Sequence, residues 1–522
     1  MSSEETHTPP ARHIAIVGGG ISGMACAWKL RNYPFIVDIF ESDSKLGGHA
    51  NSVLFEGNGR SVSVDTGFIA MDETTYPQFN SFLRELSVET IPTDMSFGVS
   101  TIDGGFEWGS HSFMSFIGRL SNLLRLSTWR LLFDIARFSL FAADVLREEY
   151  FDPREAEWAR PQASCGTHPY ARENRKPFRL EPIGDYLRAQ NYSERFISLF
   201  LIPMVAAPWC IDPDEFSRTF PARSLIKFML DHRLLDTPLR TLRWRSFRNG
   251  SQTYVNAFQN SLPRQHKLYL NTTVQSVRRT GDGVSIKLAD GSSKTYDHVV
   301  LAIHANQALR VLGSEATDLE RTLLGNFKTT RNTCYLHSDT SFLPKRPSAR
   351  VAWNCFLENS QPREKHDGPE KPSLGFLGNR ISITFDMNRL QAIPMPEQPG
   401  SPGRVLVSMN PLRIPQSHRS RQAYYHPLIS SESISMAPHL NLINGVRGIS
   451  FAGAWMGFGF HEDGFAAGAH VAQMLVAGRE NTSWLNLVSG TDERCVRRIG
   501  ALEWAARMVI LAVQWLLVAW DT

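Results

Sequence analysis

Apolar and polar positions change their period several times along the chain, and each change marks an element. Residues 13–17 (His-Ile-Ala-Ile-Val) make a short apolar run, the pattern of a strand buried on both faces. Glycines crowd residues 18–23, and residues 24–30 then take on helical character. A second buried run fills residues 35–40 and ends in Glu41. Residues 61–64 alternate as a half-buried strand does. Residues 76–86 place Phe79, Phe82, Leu83 and Leu86 at helical spacing. From about 110 to 150, Leu, Phe and Arg recur at the helical period, which predicts amphipathic helices forming a cap or a lipid-facing entrance. Residues 199–209 are apolar and broken by prolines, as a core segment or a pocket lining would be. Strand character returns at 267–274, in a hairpin around Asp290-Gly291, and at 296–304. Polar stretches at 152–176 and 358–371 read as surface insertions.

Bulk numbers narrow the class. With 522 residues the chain exceeds one compact core, so two or more domains are expected. A net charge of +4 at this length, without a basic region or zinc-finger spacing, gives no reason to expect nucleic acid as a partner. Six scattered cysteines without a C-x-x-C pair point to a reducing, cytoplasmic compartment and to no metal site. The first ten residues are polar and acidic, unlike a signal peptide, and read as a disordered leader. The other end differs. Residues 499–520 are mostly apolar but interrupted by Glu503, Arg507 and Gln514, and they carry Trp504, Trp515 and Trp520. That composition suits a helix lying on a membrane surface, peripheral or monotopic, or one docked on the protein's own core; a clean span is longer and purer.

The most specific chemistry sits at residues 18–23, Gly-Gly-Gly-Ile-Ser-Gly. Here G-x-G-x-x-G lies between a buried strand and a helix start, with an acid at the end of the next strand. Gly18 permits the tight turn, Gly20 lets a pyrophosphate reach the backbone, and Gly23 lets helix and strand pack closely. Ile21 and Ser22 open the helix whose free N–H groups would hold the phosphate. Glu41 is placed to accept hydrogen bonds from ribose hydroxyls. Together these predict a dinucleotide site in an α/β domain.

Further strings carry a family resemblance: Leu46-Gly47-Gly48-His49, Asp65-Thr66-Gly67-Phe68-Ile69, Thr93-Asp94-Met95-Ser96-Phe97, residues 386–391 and Gly457-Phe458-Gly459-Phe460-His461-Glu462-Asp463-Gly464. On these the chain resembles the flavin-containing amine oxidase superfamily, which includes monoamine oxidases and phytoene-type desaturases. Within it, the chain looks most like the FAD-binding oxidoreductases often encoded beside cyclopropane fatty acid synthases. The resemblance implies FAD as cofactor. It also implies a Rossmann-like FAD-binding domain of the GR2 type, an interleaved α+β substrate domain and a C-terminal helical tail. In those terms the FAD domain comprises residues 12–90, 244–310 and 445–480. The substrate domain comprises 91–243 and 311–444, the leader 1–11 and the tail 481–522. By the same resemblance, Gly47-Gly48 approach the phosphates, with His49 where many relatives carry arginine. Gly67, Phe68 and Ile69 lie beside the isoalloxazine ring, and Val274 offers main-chain groups to adenine. The closing motif supplies Gly453, then Asp463, Gly464 and Phe465 at the start of a helix. That helix N-terminus would stabilise negative charge near flavin N1 and the C2 carbonyl, and Gly464 would let the ring approach.

Two readings concern mechanism. Many amine oxidases set a lysine near flavin N5; the matching stretch here, residues 331–337, has none, and the nearest is Lys328. His461 is the first candidate for an acid or base beside the ring, against a purely structural role; His337 and Arg389 are weaker candidates. Trp455 and Phe460 could wall the pocket. These readings favour an FAD-dependent oxidoreductase that moves a hydride from a substrate C–H to flavin N5. Its substrate would be a small hydrophobic molecule, a lipid or acyl chain, as desaturase or oxidase, with membrane contact through the tail. The alternatives are an amine oxidase and a flavin-binding scaffold for a lipid-modifying partner. The sequence leaves the oligomeric state open.

Overall fold

A computed structural model describes residues 12–146, 180–232, 234–236, 243–358, 380–478 and 500–521. The leader, the insertion at 152–176, all but the first residue of the insertion at 358–371, and residues 481–499 of the tail lie outside the described residues.

The fold is α/β. A parallel five-stranded sheet has the spatial order His266–Tyr269, Phe35–Phe40, Arg12–Val17, His298–Leu301, Ile449–Phe451. Its strands come from three separate stretches of the chain, so the chain leaves this layer twice and returns. Ile14, Ile16, Val37, Ile39, Val299 and Leu301 have no exposed surface, which explains why these strands read as apolar runs without alternation. The helices Ile21–Leu30 and His461–Ala477 pack against each other. Two glycines set how closely they can meet. A Cβ on Gly468 would lie 2.0 Å from the Ser22 carbonyl oxygen, and one on Gly464 would lie 2.6 Å from Ile21 Cγ2. The N-termini of these two helices therefore stand side by side at the carboxyl edge of the sheet, where doubly wound folds bind their ligands.

A seven-stranded, mainly antiparallel sheet forms the second layer, from Ser420–Leu428 and Lys328–His337 at one side to Phe97–Thr101 and Glu107–Gly109 at the other. A helical cap covers it. The helices Leu126–Phe141, Ile183–Ala189 and Ala222–Asp231 surround a core rich in Phe and Leu. The apolar segment at 199–209 is helical here, with Leu201, Ile202, Val205 and Trp209 buried in that core.

Two sequence expectations change, and one of two alternatives for the tail gains support. Residues 267–274 are not one strand: the chain turns at Asn271 with φ +51°. His266–Tyr269 then stays in the parallel sheet, while Val274–Thr280 opens a separate three-stranded antiparallel sheet with the hairpin Gly283–Leu288 and Ser293–Tyr296. Residues 296–304 shrink to the strand His298–Leu301. In the tail, the helix Ala501–Asp521 docks through Arg507, which is buried and donates to Asp144 Oδ2 at 2.7 Å and to the Leu140 carbonyl. Leu502, Trp504, Val509, Leu511 and Trp515 remain exposed on it. Among the described residues no single helix is long and apolar enough to cross a membrane. One bent pair, Glu194–Trp209 with Pro213–Thr219, passes on length and composition, and much of it lies in the cap core.

Candidate flavin and substrate site

A cavity of about 1730 Å³ runs between the two layers. Ordinary ligand pockets measure roughly 300–1,000 Å³, so there is room for a large ligand and a second molecule beside it. One part of the wall is built from nucleotide-domain loops: Gly18, Gly20, Ile21 and Ser22 from the first turn, Glu41, Gly47-Gly48-His49, Gly67-Phe68-Ile69, Val274 and Gly453. The other part is apolar and aromatic, with Trp108, Phe116, Phe138, Phe200, Met204 and Trp209 among its residues. His461 and Phe460 are also on the wall.

The first part has the features that a dinucleotide demands. Gly20 caps the helix Ile21–Leu30 without a side-chain bond, and no acid occupies the first turn, so the N–H groups there carry no competing anion. A Cβ on Gly20 would meet nothing within 4 Å; the space in front of this helix end is open. Gly18 needs its φ of +108° for the turn, and a Cβ on it would strike the Ala302 carbonyl oxygen at 2.4 Å. Glu41 is held at the strand tip: its carboxylate accepts the Gly19 N–H at 2.8 Å and the Asp43 N–H at 2.9 Å. The residues present fit FAD.

Four expected contacts are not on the cavity wall. Gly23 lies behind the turn, where a Cβ would fall 2.0 Å from the Gly18 carbonyl oxygen and 3.3 Å from Ile16 Cγ2; it serves the close helix–strand packing expected of it and is not on the cavity wall. Gly464 admits the first helix and not a ring, because its missing side chain faces Ile21 and Ser22. Phe465 has no exposed surface and packs edge-on to Phe79 and against Phe82. Asp463 turns back on its own loop and accepts the N–H groups of Phe458 and Phe460 at 3.1 and 2.9 Å. Burial pushes its carboxyl up to about 7. The helix also starts two residues earlier than that motif suggests, at His461.

His461 itself is held on both sides. Its ring stacks on Phe68 at 3.6 Å between centroids, and Nε2 is 2.9 Å from the Tyr254 hydroxyl. Burial pushes it down to about 3, so it is neutral through the physiological range and does not titrate near neutrality as the sequence reading supposed. His337 is bonded to Ser408 inside the substrate sheet, and Arg389 pairs with Asp94 and Asp386; neither is on the cavity wall. Trp455 does line the cavity, with its indole N–H donating to the Ile303 carbonyl.

Sequence reasoning missed a cluster at the junction of the two parts. His49 lies 5.2 Å from His426 and 6.4 Å from His304, ring to ring, and Tyr424 is 5.2 Å from His49. The Tyr424 hydroxyl bonds Thr66 and Asn51. Burial pushes all three histidines down, His426 to about 4, and in His49 the neighbouring imidazoles add to it. Among the described residues no group of three or more His, Cys, Asp or Glu is placed to hold a metal ion. Among the described residues, the charged side chains on the wall are Glu41, Asp43, Lys45 and Arg310, all from nucleotide-domain segments.

The sequence model of the flavin-containing amine oxidoreductases matches residues 21–358. The chain belongs to that family. It is an FAD-dependent oxidoreductase. Protoporphyrinogen oxidase 2, chloroplastic/mitochondrial, from Arabidopsis thaliana is 35% identical over 88 residues, which is 17% of this chain and 16% of that protein. The match thus spans about a sixth of that relative's length. Among solved structures, a CLA-producing fatty acid isomerase from P. acnes has a TM-score of 0.57 at 14% identity, over 90% of this chain and 99% of that one. Cyclohexylamine oxidase from Brevibacterium oxydans has a TM-score of 0.57 at 14% identity, over 90% and 100%. These two likenesses are of fold. They place the five-stranded sheet and its interleaved partner in the amine oxidase architecture.

Proposed function

We propose that this family member oxidises a hydrophobic substrate, a lipid or acyl chain, as a desaturase or oxidase, and meets it at a membrane surface. The observation that carries this reading is the apolar part of the cavity, whose wall holds no charged side chain among the described residues and whose aromatic lining includes Phe116 and Phe113. Phe113 is 61% exposed, and Leu120, Leu124, Leu126 and Trp129, from the two elements that follow it in the chain, are exposed too. Arg119, Arg125 and Arg130 alternate with them in sequence. The tail helix packs on the cap helix Leu126–Phe141 and adds Trp504 and Trp515. An apolar face with interleaved arginines and tryptophans suits an anionic bilayer surface.

FAD would be held at the first part of the wall, by the turn at Gly18 to Ser22, Glu41 and Gly47-Gly48, and would supply a hydride acceptor. The chain's own residues do the rest. Trp108, Phe138, Phe200 and Trp209 exclude water and align an extended chain, which an unactivated C–H bond requires. The open N-terminus of the helix Ile21–Leu30 takes the phosphates, and Glu41 takes the ribose.

The test is anaerobic. FAD-loaded protein is mixed with fatty acids, phospholipid extracts and a panel of amines, and the visible flavin absorbance is followed. Bleaching by lipids is expected. Bleaching by amines alone would replace this reading with amine oxidation, the activity suggested by the family's name. Bleaching by neither, together with binding to vesicles, would leave a flavin-binding scaffold. For the surface, co-sedimentation with anionic vesicles is expected and should drop severalfold in Trp504→Ala/Trp515→Ala; equal sedimentation of the variant would remove the tail from the account.

A further inference from the structure

The histidine cluster contains one imidazole whose hydrogen is fixed by the fold. The starting point is a backbone N–H, which can only donate. Thr333 N–H donates to Asn410 Oδ1 at 2.9 Å, so the other end of that amide, Nδ2, must be a donor. It donates to Asn332 Oδ1 at 2.6 Å. Asn332 therefore also has its oxygen committed, and its Nδ2 donates to His426 Nδ1 at 2.6 Å. His426 Nδ1 must accept. The neutral ring then carries its hydrogen on Nε2. Nothing in this relay can easily turn over. Asn332 is buried, and Asn410 is anchored a second time because its own N–H donates to the Thr333 carbonyl at 2.7 Å. His426 lies on the cavity wall, and its Nε2 has no hydrogen-bond partner among the described residues.

We propose that His426 is a specificity-determining residue, a hydrogen-bond donor of fixed polarity that selects substrates carrying an acceptor oxygen, such as a carbonyl or carboxyl group, beside an apolar chain. This rests on the reading that the apolar part of the cavity holds the substrate. An ammonium group, which can only donate, meets a donor at this point. It also finds no carboxylate among the described residues of the apolar part of the wall to offset its loss of hydration. An amide or acid of the same length meets the partner it needs. His426 acts by touching the substrate; Asn332 and Asn410 are positioning residues that act through it.

The experiment measures binding, by calorimetry on the FAD-loaded protein at about pH 8, of octanamide and octylamine, with butanamide as a length control. Octanamide is expected to bind at least about tenfold tighter than octylamine. His426→Leu should abolish most of that ratio while octanamide still outbinds butanamide. Asn332→Asp offers the sharper outcome. Aspartate has no N–H to give, so His426 Nδ1 becomes the donor and Nε2 is freed to accept. The added negative charge acts in the same direction. The ratio should then move toward the amine by tenfold or more, a change that a merely structural defect, weakening both ligands alike, would not produce. An unchanged ratio in His426→Leu, or equal weakening of both ligands in Asn332→Asp, overturns the assignment. If butanamide and octanamide bind equally in the unaltered protein, the apolar-substrate reading fails instead. Should Asn332→Asp not fold, His426→Leu decides alone.

Discussion

The nucleotide and substrate ends of the cavity are built by opposite means. At the nucleotide end the backbone forms the site: Gly18, Gly20, Gly47 and Gly48 withdraw their side chains, and an uncapped helix end presents N–H groups. At the substrate end side chains form it, with aromatic rings for shape and a polar cluster of His49, His304, Tyr424 and His426 at the border. A backbone site tolerates little change in residue type, and each of its turns is specified by a few adjacent residues. A side-chain site can be remodelled, and it depends on strands far apart in sequence being brought into register. This is how one family architecture can hold a single cofactor and admit different substrates.

The contrast can be tested by breaking each end separately. The largest effect is expected from Gly23→Ala. Its Cβ would meet the Gly18 carbonyl oxygen at 2.0 Å, a clash with backbone that only a shift of the helix relieves. A loss of about 3 kcal/mol or more, with no flavin colour on purification, is the expected result. Gly20→Ala separates cofactor binding from folding. The new Cβ meets no protein atom, so the apoprotein's stability should stay within about 0.5 kcal/mol of the parent while FAD affinity falls at least about tenfold. Equal thermal stability with unchanged FAD affinity would show that the phosphates do not approach this helix end.

His461→Phe should keep the stack on Phe68 and lose the bond to Tyr254, costing about 1 kcal/mol. Because the ring is neutral through the working range, the pH profile of turnover should not move; a displaced limb near neutrality would restore it as an acid or base. The last test reads a pH dependence, at Asp463. Its folded carboxyl titrates at about 7, above its unfolded value. The folded state therefore binds the more protons between those two values, and stability contributed here falls as pH rises from about 4 to about 7, then levels. Glu462, raised to about 6 by burial, adds in the same direction. Asp463→Asn should flatten part of that slope in chemical denaturation across pH; an unchanged slope would place the titration elsewhere.

Much of the cofactor end was legible because its signals are local. Residues 18–23, 47–49 and 67–69 each carry their constraint within a few positions, and Glu41 follows from the length of one strand-helix-strand unit. The errors there came from position along the helix. His461, its first residue, is on the wall, while Gly464 and Gly468, on the same face about one and two turns further on, meet the first helix, and Asp463 and Phe465 point elsewhere. A motif marks which residues share a turn; it does not say which of them faces a ligand. The substrate end left little trace. His426 lies within the strand Ser420–Leu428, whose pattern looks like any other, and Asn332, its partner, is 94 positions away.

By itself, then, the chain's order of residues determined the strands that are buried on both faces, the phosphate-binding turn, the acid beside it and the cofactor class. Those depend on backbone geometry and burial, which short stretches specify. Only the tertiary structure decided which histidines meet, which of their nitrogens carries hydrogen, and where the tail helix lies. Hydrogen-bond direction is inherited along a relay that starts at Thr333 and ends at His426, and the relay exists only once the strands Lys328–His337, Leu406–Met409 and Ser420–Leu428 lie side by side.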